Sequence, residues 1–356
     1  MVLREPRFGR EVRRVLPPEA FPPIAERHRP LLQMVERWFV FRDPPDHTRL
    51  RALVNRAFNP RTVEALRPHI QEIADSLIEH AAAGGTLDVV NDYAFPLTVT
   101  VIAQMLGVPP ADRDRFKHWA NELLGAIDIG ATDEITTRAS RATVALSDYL
   151  RDLVGERRRA PREDLISSLI AAEEAGDRLT EDELLATCIL LLFGGHETTK
   201  NVIGNGTHAL LRAPAEMERL RRDPGLIRTG FEELMRYESP LQMAFRYVME
   251  STELGGRTLR RGQMIWGGVG AANRDPAHFA DPDRLDLGRT PNPHLGLGRG
   301  IHFCVGAPLA RAEGAIAINT LLRRLPGLYL AEQPAWRPTV ILRGLDTLRV
   351  GFDTVR

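Results

Sequence analysis

A chain of 356 residues with 47 Lys plus Arg against 47 Asp plus Glu has a formal net charge of zero, so no bulk field points to nucleic acid or to an anionic membrane. Two cysteines, Cys188 and Cys304, are too few for a disulfide framework and suit a reducing, cytoplasmic setting. The longest apolar run, 188–193, is far too short to span a bilayer, and residues 1–8 hold no signal-peptide core.

The length allows two domains, but no stretch reads as a linker, and there is no internal repeat or low-complexity tract. Residues 1–40 read as irregular, with Pro17-Pro18 and Pro22-Pro23 breaking any long helix. Asp43-Pro44-Pro45-Asp46 then places prolines early and a carboxylate in a first turn, which is a helix start. His47 and Arg51, four apart, share one face of that helix. Such a pair suits a carboxylate ligand, although a solvated basic face is its commoner fate. Apolar spacing predicts helices over 63–80 and 97–106, then amphipathic helices over 115–127 and 135–153. Gly107-Val108-Pro109-Pro110 stops one helix, and Asp112 is placed to cap the next.

Thr180-Glu181-Asp182-Glu183 opens a long helix with an N-cap and first-turn acids. Six consecutive apolar residues imply burial on all sides. Gly194-Gly195-His196-Glu197-Thr198-Thr199 follows. Mid-helix glycines cost about 1 kcal/mol each relative to alanine. A buried acid with two threonines adds a desolvation cost unless partnered. A ligand lying against the glycines, with polar groups aimed at it, accounts for the combination. Glu233 and Arg236, three apart, can pair on a helix face, a weak signal by itself. Strands are predicted over 241–246 and 263–266, with Gly-rich turns between. Last comes Cys304 among glycines 296, 298, 300 and 306, with His302 two residues earlier and a helix starting at Ala307. A helix start favours the thiolate, and glycines let a flat ligand come close. A lone thiolate is a good single ligand for an iron; the alternative is a small buried cysteine in a turn.

Leu297-Gly298-Arg299-Gly300-Ile301-His302-Phe303-Cys304-Val305-Gly306 resembles the haem-binding signature of the cytochrome P-450 family, Phe-Gly-x-Gly-x-His-x-Cys-x-Gly. The resemblance implies that Cys304 is the axial ligand of haem b, the metal-binding residue, and that His302 contacts a propionate. Leu297 stands where phenylalanine is usual, which bears on haem potential rather than on haem binding. The segment around His47 and Arg51 resembles the family helix that supplies both residues to the propionates, and Arg246 matches a propionate arginine. Gly194 to Thr199 resembles the oxygen-binding segment Ala/Gly-Gly-x-Asp/Glu-Thr-Thr. That match implies Glu197 as the acid and Thr198 as the hydroxyl beside bound oxygen, with Gly195 and Gly298 against the cofactor and Cys188 a buried apolar residue. Glu233 and Arg236 match the structural Glu-x-x-Arg motif, with Arg289 as third member and Arg284 as runner-up.

By position, helices 115–127 and 135–153 resemble the pair that roofs the family's substrate pocket. Phe116, Trp119, Leu123, Leu124 and Ile127 then read either as substrate-facing or as plain core. Residues 272–276 and 279–283 match the meander before the cysteine loop, and 342–345 resemble the C-terminal hairpin whose tip reaches the pocket. Residues 2–8 resemble a family helix that normally follows several tens of residues, so an N-terminally short chain with a reduced sheet, or a late gene start, is expected.

The fold implied is mainly α with small β-sheets (α+β), the cytochrome P-450 fold, as a single domain over 1–356. The activity implied is haem-thiolate monooxygenation of a small organic substrate with O2. No flavin or iron–sulfur module is present in the chain, so electrons are expected from a ferredoxin or flavodoxin with its reductase. Arg49 and Arg311, near the haem-binding segments, are expected to attract an acidic donor. The rivals are a peroxide-using peroxygenase or decarboxylase, a type that tends to lose the acid–threonine pair, and a truncated non-catalytic haem-binding chain.

Overall fold

Most of the described residues from 29 to 237 are helical in this computed structural model, which describes residues 1–21, 23–81, 84–174 and 179–356, and their side chains except at 124, 127, 173 and 174. In chain order the helices are α1 (Arg29–Arg37), α2 (Asp46–Ala57), α3 (Pro60–Ala81), α4 (Phe95–Met105), α5 (Arg113–Leu124), α6 (Asp133–Arg159), α7 (Leu165–Glu174), α8 (Glu181–Leu211), α9 (Pro214–Arg222) and α10 (Ile227–Tyr237). The short α11 (Val269–Ala272) and the long α12 (Ala307–Arg324) follow. The strands are β1 (Phe8–Gly9), β2 (Thr86–Asp88), β3 (Met243–Val248), β4 (Thr252–Leu254), β5 (Arg257–Leu259), β6 (Met264–Gly268), β7 (Tyr329–Leu330) and β8 (Arg349–Gly351). They form antiparallel sheets ordered β1-β3-β6, β2-β8-β7 and β4-β5.

α8 is the axis. A complete capping box starts it: Glu183 N–H donates to Thr180 Oγ1 at 3.2 Å, and Thr180 N–H donates to Glu183 Oε2 at 2.8 Å. Of its apolar run, Cys188, Ile189, Leu191, Leu192 and Phe193 are buried while Leu190 is only half-buried, and the helix as a whole packs against α4, α5, α6, α10 and α12. One apolar cluster spreads from Leu31 to Phe352. A smaller one, Val202, Phe231, Met235, Leu297 and Ala307, backs the Cys304 loop.

Several sequence expectations change. α1 lies inside the stretch read as irregular; of the prolines invoked there, Pro22 lies outside the described residues. Residues 2–7 form turns leading into β1, not a helix, and Phe8 pairs with Val248. Asp112 makes no side-chain cap to α5 and instead accepts the Tyr149 hydroxyl at 3.0 Å. Phe116, Trp119 and Leu123 are buried core. The side chains of Leu124 and Ile127 lie outside the described ones. Leu342 bridges to Leu241, yet residues 342–345 do not reach the cavity described below.

Candidate active site

The cysteine loop is shaped by two glycines with left-handed backbone, Gly298 (φ +72°) and Gly300 (φ +73°). A Cβ on Gly300 would lie 2.5 Å from the Leu3 carbonyl oxygen, so the N-terminal turn lies directly against this loop. Cys304 N–H donates to Leu297 O at 2.9 Å, which closes the loop before α12 begins. Cys304 is free and partly exposed, and it lines a cavity of about 290 Å³. Burial raises its thiol pKa, against the backbone N–H groups of Gly306 and Ala307 and the charges of Arg51 and Arg311. The expected thiolate preference of a helix start is therefore outweighed by desolvation in the chain alone. A bound metal ion reverses that balance, because coordination deprotonates a thiol.

Another wall of the same cavity is α8, through Leu190, Leu191, Gly194, Gly195, Thr198 and Thr199. A Cβ at Gly194 would meet nothing within 4 Å, whereas one at Gly195 would meet an Ile102 methyl at 3.3 Å. Thr198 Oγ1 donates to Gly194 O at 2.8 Å. Glu197 is not on the cavity wall. Its carboxylate accepts from Lys200 Nζ at 2.5 Å, Arg337 Nη1 at 2.9 Å and Asn201 Nδ2 at 3.0 Å. Burial alone would raise its pKa, but the Lys200 and Arg337 charges hold it below the ordinary carboxylate range. Arg337 continues to Asp346 at 3.1 Å, an exposed carboxylate. Glu313 on α12 is fully buried, and among the described residues neither oxygen has a well-formed hydrogen bond. Burial raises its pKa well above the ordinary value, and the Thr199 hydroxyl draws it back only in part.

Basic side chains gather at one part of the wall, where the cations Arg10, Arg51 and Arg246 and the imidazole of His302 border the cavity. His47 stands behind them, its ring 4.4 Å from that of His302. Among the described residues, both His47 ring nitrogens and His302 Nδ1 are buried without partners. Burial, followed by the nearby charges of His47, Arg10, Arg246 and Arg51, pushes His302 down to about 2. Arg51 Nη2 donates to Phe303 O at 2.7 Å, tying α2 to the cysteine loop. No Asp or Glu lines the cavity among the described residues, and no carboxylate there pairs with the side chain of Arg10, Arg51 or Arg246. Unpaired desolvated cations are costly, so this wall calls for an anionic ligand. Sequence reasoning missed Arg10, because nothing in its local pattern marks it.

These features fit haem. Cys304 is the one thiol among the residues that line the cavity, and a single thiolate could hold an iron that a porphyrin already carries. Among the described residues no three His, Cys, Asp or Glu side chains converge to hold a bare metal ion. The carboxylates of haem b match the cation-lined wall, and apolar residues line most of the rest.

The Glu233 network lies outside the cavity. Arg236 pairs with Glu233 in a fork at 2.8 and 2.9 Å, and Arg289 Nε donates to both Glu233 oxygens at 3.1 Å. The Arg284 side chain takes no part; its carbonyl accepts from Arg236 and from Arg289, each at 3.2 Å. Arg236 also donates to the carbonyls of Asn273 and Pro282, so the network braces the segment before the cysteine loop. Arg311 pairs with Glu232 at 2.7 Å and Arg49 with Glu183 at 2.5 Å. The two arginines expected to attract an acidic donor are thus already neutralised.

A family model described as Cytochrome P450 matches residues 33–224 and 226–334. The biotin biosynthesis cytochrome P450 of Bacillus subtilis (strain 168) is 41% identical over 353 residues, covering 99% of this chain and 87% of that protein. The polyketide biosynthesis cytochrome P450 PksS of the same strain is 42% identical over 355 residues, covering 99% and 86%. The crystal structure of P450BioI, in complex with an acyl carrier protein ligated to hexadec-9Z-enoic acid, superposes with a TM-score of 0.92 at 40% identity, covering 99% of this chain and 89% of that one.

Proposed function

The chain belongs to the cytochrome P450 family and is a haem b monooxygenase that uses O2, an organic substrate and a redox partner, and on that premise we propose which residues do the work. Cys304 would hold the haem iron through its thiolate. His47, Arg51, Arg246 and His302 hold the propionates, and Gly195 and Gly298 let the ring approach the backbone. The observation that carries this reading is a partly exposed thiol on the wall of an apolar cavity, near desolvated cations that have no carboxylate partner.

When bound, the haem supplies dioxygen activation, with thiolate electron density favouring O–O cleavage. Thr198 Oγ1 can move its hydrogen bond from the Gly194 carbonyl to a ligand in the cavity and hold a proton there. Glu197, one residue from Thr198, would pass protons toward the cavity, with Lys200 and Arg337 holding its carboxylate in place and Arg337 tying it to the exposed Asp346. The apolar wall, including Phe39, Leu190 and Leu241, excludes water and suits an apolar substrate.

Residues 1–356 act as one domain, with Glu233, Arg236 and Arg289 as its structural brace. The electron donor is a ferredoxin or flavodoxin with its reductase. It docks where Ile301 and Phe303, 52% and 39% exposed, flank the cysteine loop. A cytoplasmic location is supported by two free cysteines, and among the described residues no helix is long and apolar enough to cross a membrane.

Purified protein should carry one haem per chain, and apolar ligands should shift its Soret band as they enter. A chain that stays haem-free when haem is supplied during expression would contradict the proposal.

A further inference from the structure

Arg10 carries no part of the family resemblance, yet it stands on the cavity wall beside Arg246. Its place is fixed from three sides. Its backbone N–H donates to both Asp43 oxygens at 3.0 and 2.9 Å, and the Glu11 N–H adds a third bond to the same carboxylate at 2.9 Å. Nε donates to Val40 O at 2.9 Å and Nη1 to Phe245 O at 3.0 Å. The planar guanidinium lies over two rings, 4.5 Å from the centre of Phe245 and 5.0 Å from that of Phe41.

None of these contacts neutralises the charge. Carbonyls are dipoles, ring faces are weak partners, and Asp43 spends its lone pairs on backbone amides. Nη2 donates to no acceptor among the described residues. An arginine kept for structure normally ends on a carboxylate when desolvated. Arg157 and Arg236 of this chain, both fully buried, do so. Arg10 sits instead beside a like charge.

We propose that Arg10 is a further cofactor-holding residue, whose free Nη2 edge binds a carboxylate of the haem periphery. The proposal rests on the haem reading above. Arg10, Arg51 and Arg246 outweigh the one carboxylate near them, Asp43, so this wall is net positive, which matches in sign the propionates of haem b. Burial, followed by the charge of Arg246, pushes Arg10 down to about 9, with Asp43 opposing. A dianionic ligand relieves that repulsion.

The test is haem loss from the holoenzyme to an acceptor globin, for the wild type, Arg10→Met, Arg10→Lys and, as a reference, Arg51→Ala. Each protein is then reconstituted with haem dimethyl ester, which lacks the carboxylate charges, and measured again. With haem, Arg10→Met should lose cofactor about tenfold faster or more, the size expected for losing one charge-assisted bond, and Arg10→Lys should fall between. With the ester, the variants should differ little from wild type. Unchanged haem loss in Arg10→Met, with faster loss in Arg51→Ala, would overturn the role of Arg10 and leave the haem reading standing. A penalty of equal size with haem and with its ester would also overturn it, because Arg10 would then act only on the fold. If Arg10→Met does not accumulate, the same two comparisons are read on Arg10→Lys. A wild-type chain that takes up no haem would sink the underlying reading instead.

Discussion

Thr198 and Glu197 are neighbours in sequence with opposite surroundings: one faces the cavity, the other a buried ion cluster. Thr198→Ala removes a hydroxyl whose one hydrogen bond among the described residues is to its own helix, so folding and substrate binding should be nearly unchanged. It should consume reductant and oxygen but release more hydrogen peroxide and less product. Wild-type coupling of product to reductant in that variant would rule the hydroxyl out. Glu197→Gln should slow turnover and also lower stability, since breaking a buried pair costs about 3–5 kcal/mol. Glu313 gives a pH signature of its own. Its folded pKa is raised above the usual 4.5, so its neutral form favours folding at low pH. That contribution is lost as pH rises from 4.5 through the folded value. Glu313→Gln should therefore match wild type near pH 4.5 and gain on it steadily toward alkaline pH. Urea unfolding of both proteins at several pH values checks this, and parallel profiles would contradict it. Cys304, His302 and Thr198, which line the cavity, each sit in a local pattern that the sequence displays, as does Glu197, which does not line it. Arg10 does not, because its setting is made by Phe41 and Phe245, far away in sequence.

Among the elements, α8 was readable almost whole: its cap, its buried run and its costly glycines all lie within one segment. Gly194 and Gly195 separate in the structure. At Gly194 there is room for a methyl group, so the helix gives no reason for glycine. Gly194→Ala should add up to about 1 kcal/mol of helix stability while lowering haem occupancy or ligand binding, because the new methyl enters the cavity. A variant with raised melting temperature and unaltered haem content and ligand affinity would show that the cavity does not require this glycine. α1 escaped the sequence reading because upstream prolines dominate the stretch and only Leu31 of its residues is fully buried. The N-terminal turn was misread as helix because its short strand, Phe8–Gly9, is defined by pairing with β3 and not by its own residues. Strands of two or three residues, as in β7 and β8, are too short for alternation to show.

At the scale of the whole molecule a net charge of zero conceals local imbalance: a cation-rich wall inside and paired arginines outside. With Arg49 and Arg311 neutralised, donor docking should lean on the exposed Ile301 and Phe303. Stopped-flow reduction should then vary by about twofold or less up to ~0.5 M salt, where screening is nearly complete. Ile301→Asp, with an unaltered haem spectrum, should slow it roughly tenfold, the effect of one charge in an apolar contact. Strong salt dependence with an unaffected Ile301→Asp would place the docking charge elsewhere. Every one of these roles depends on Cys304 holding the iron from the cavity wall. The direct measurement is the absorption spectrum of the ferrous–CO complex, in the wild type and in Cys304→His. The wild type should show the strongly red-shifted Soret band of thiolate-ligated haem, and the variant should lose that band even where it retains haem. A red-shifted thiolate band persisting in Cys304→His would contradict the assignment.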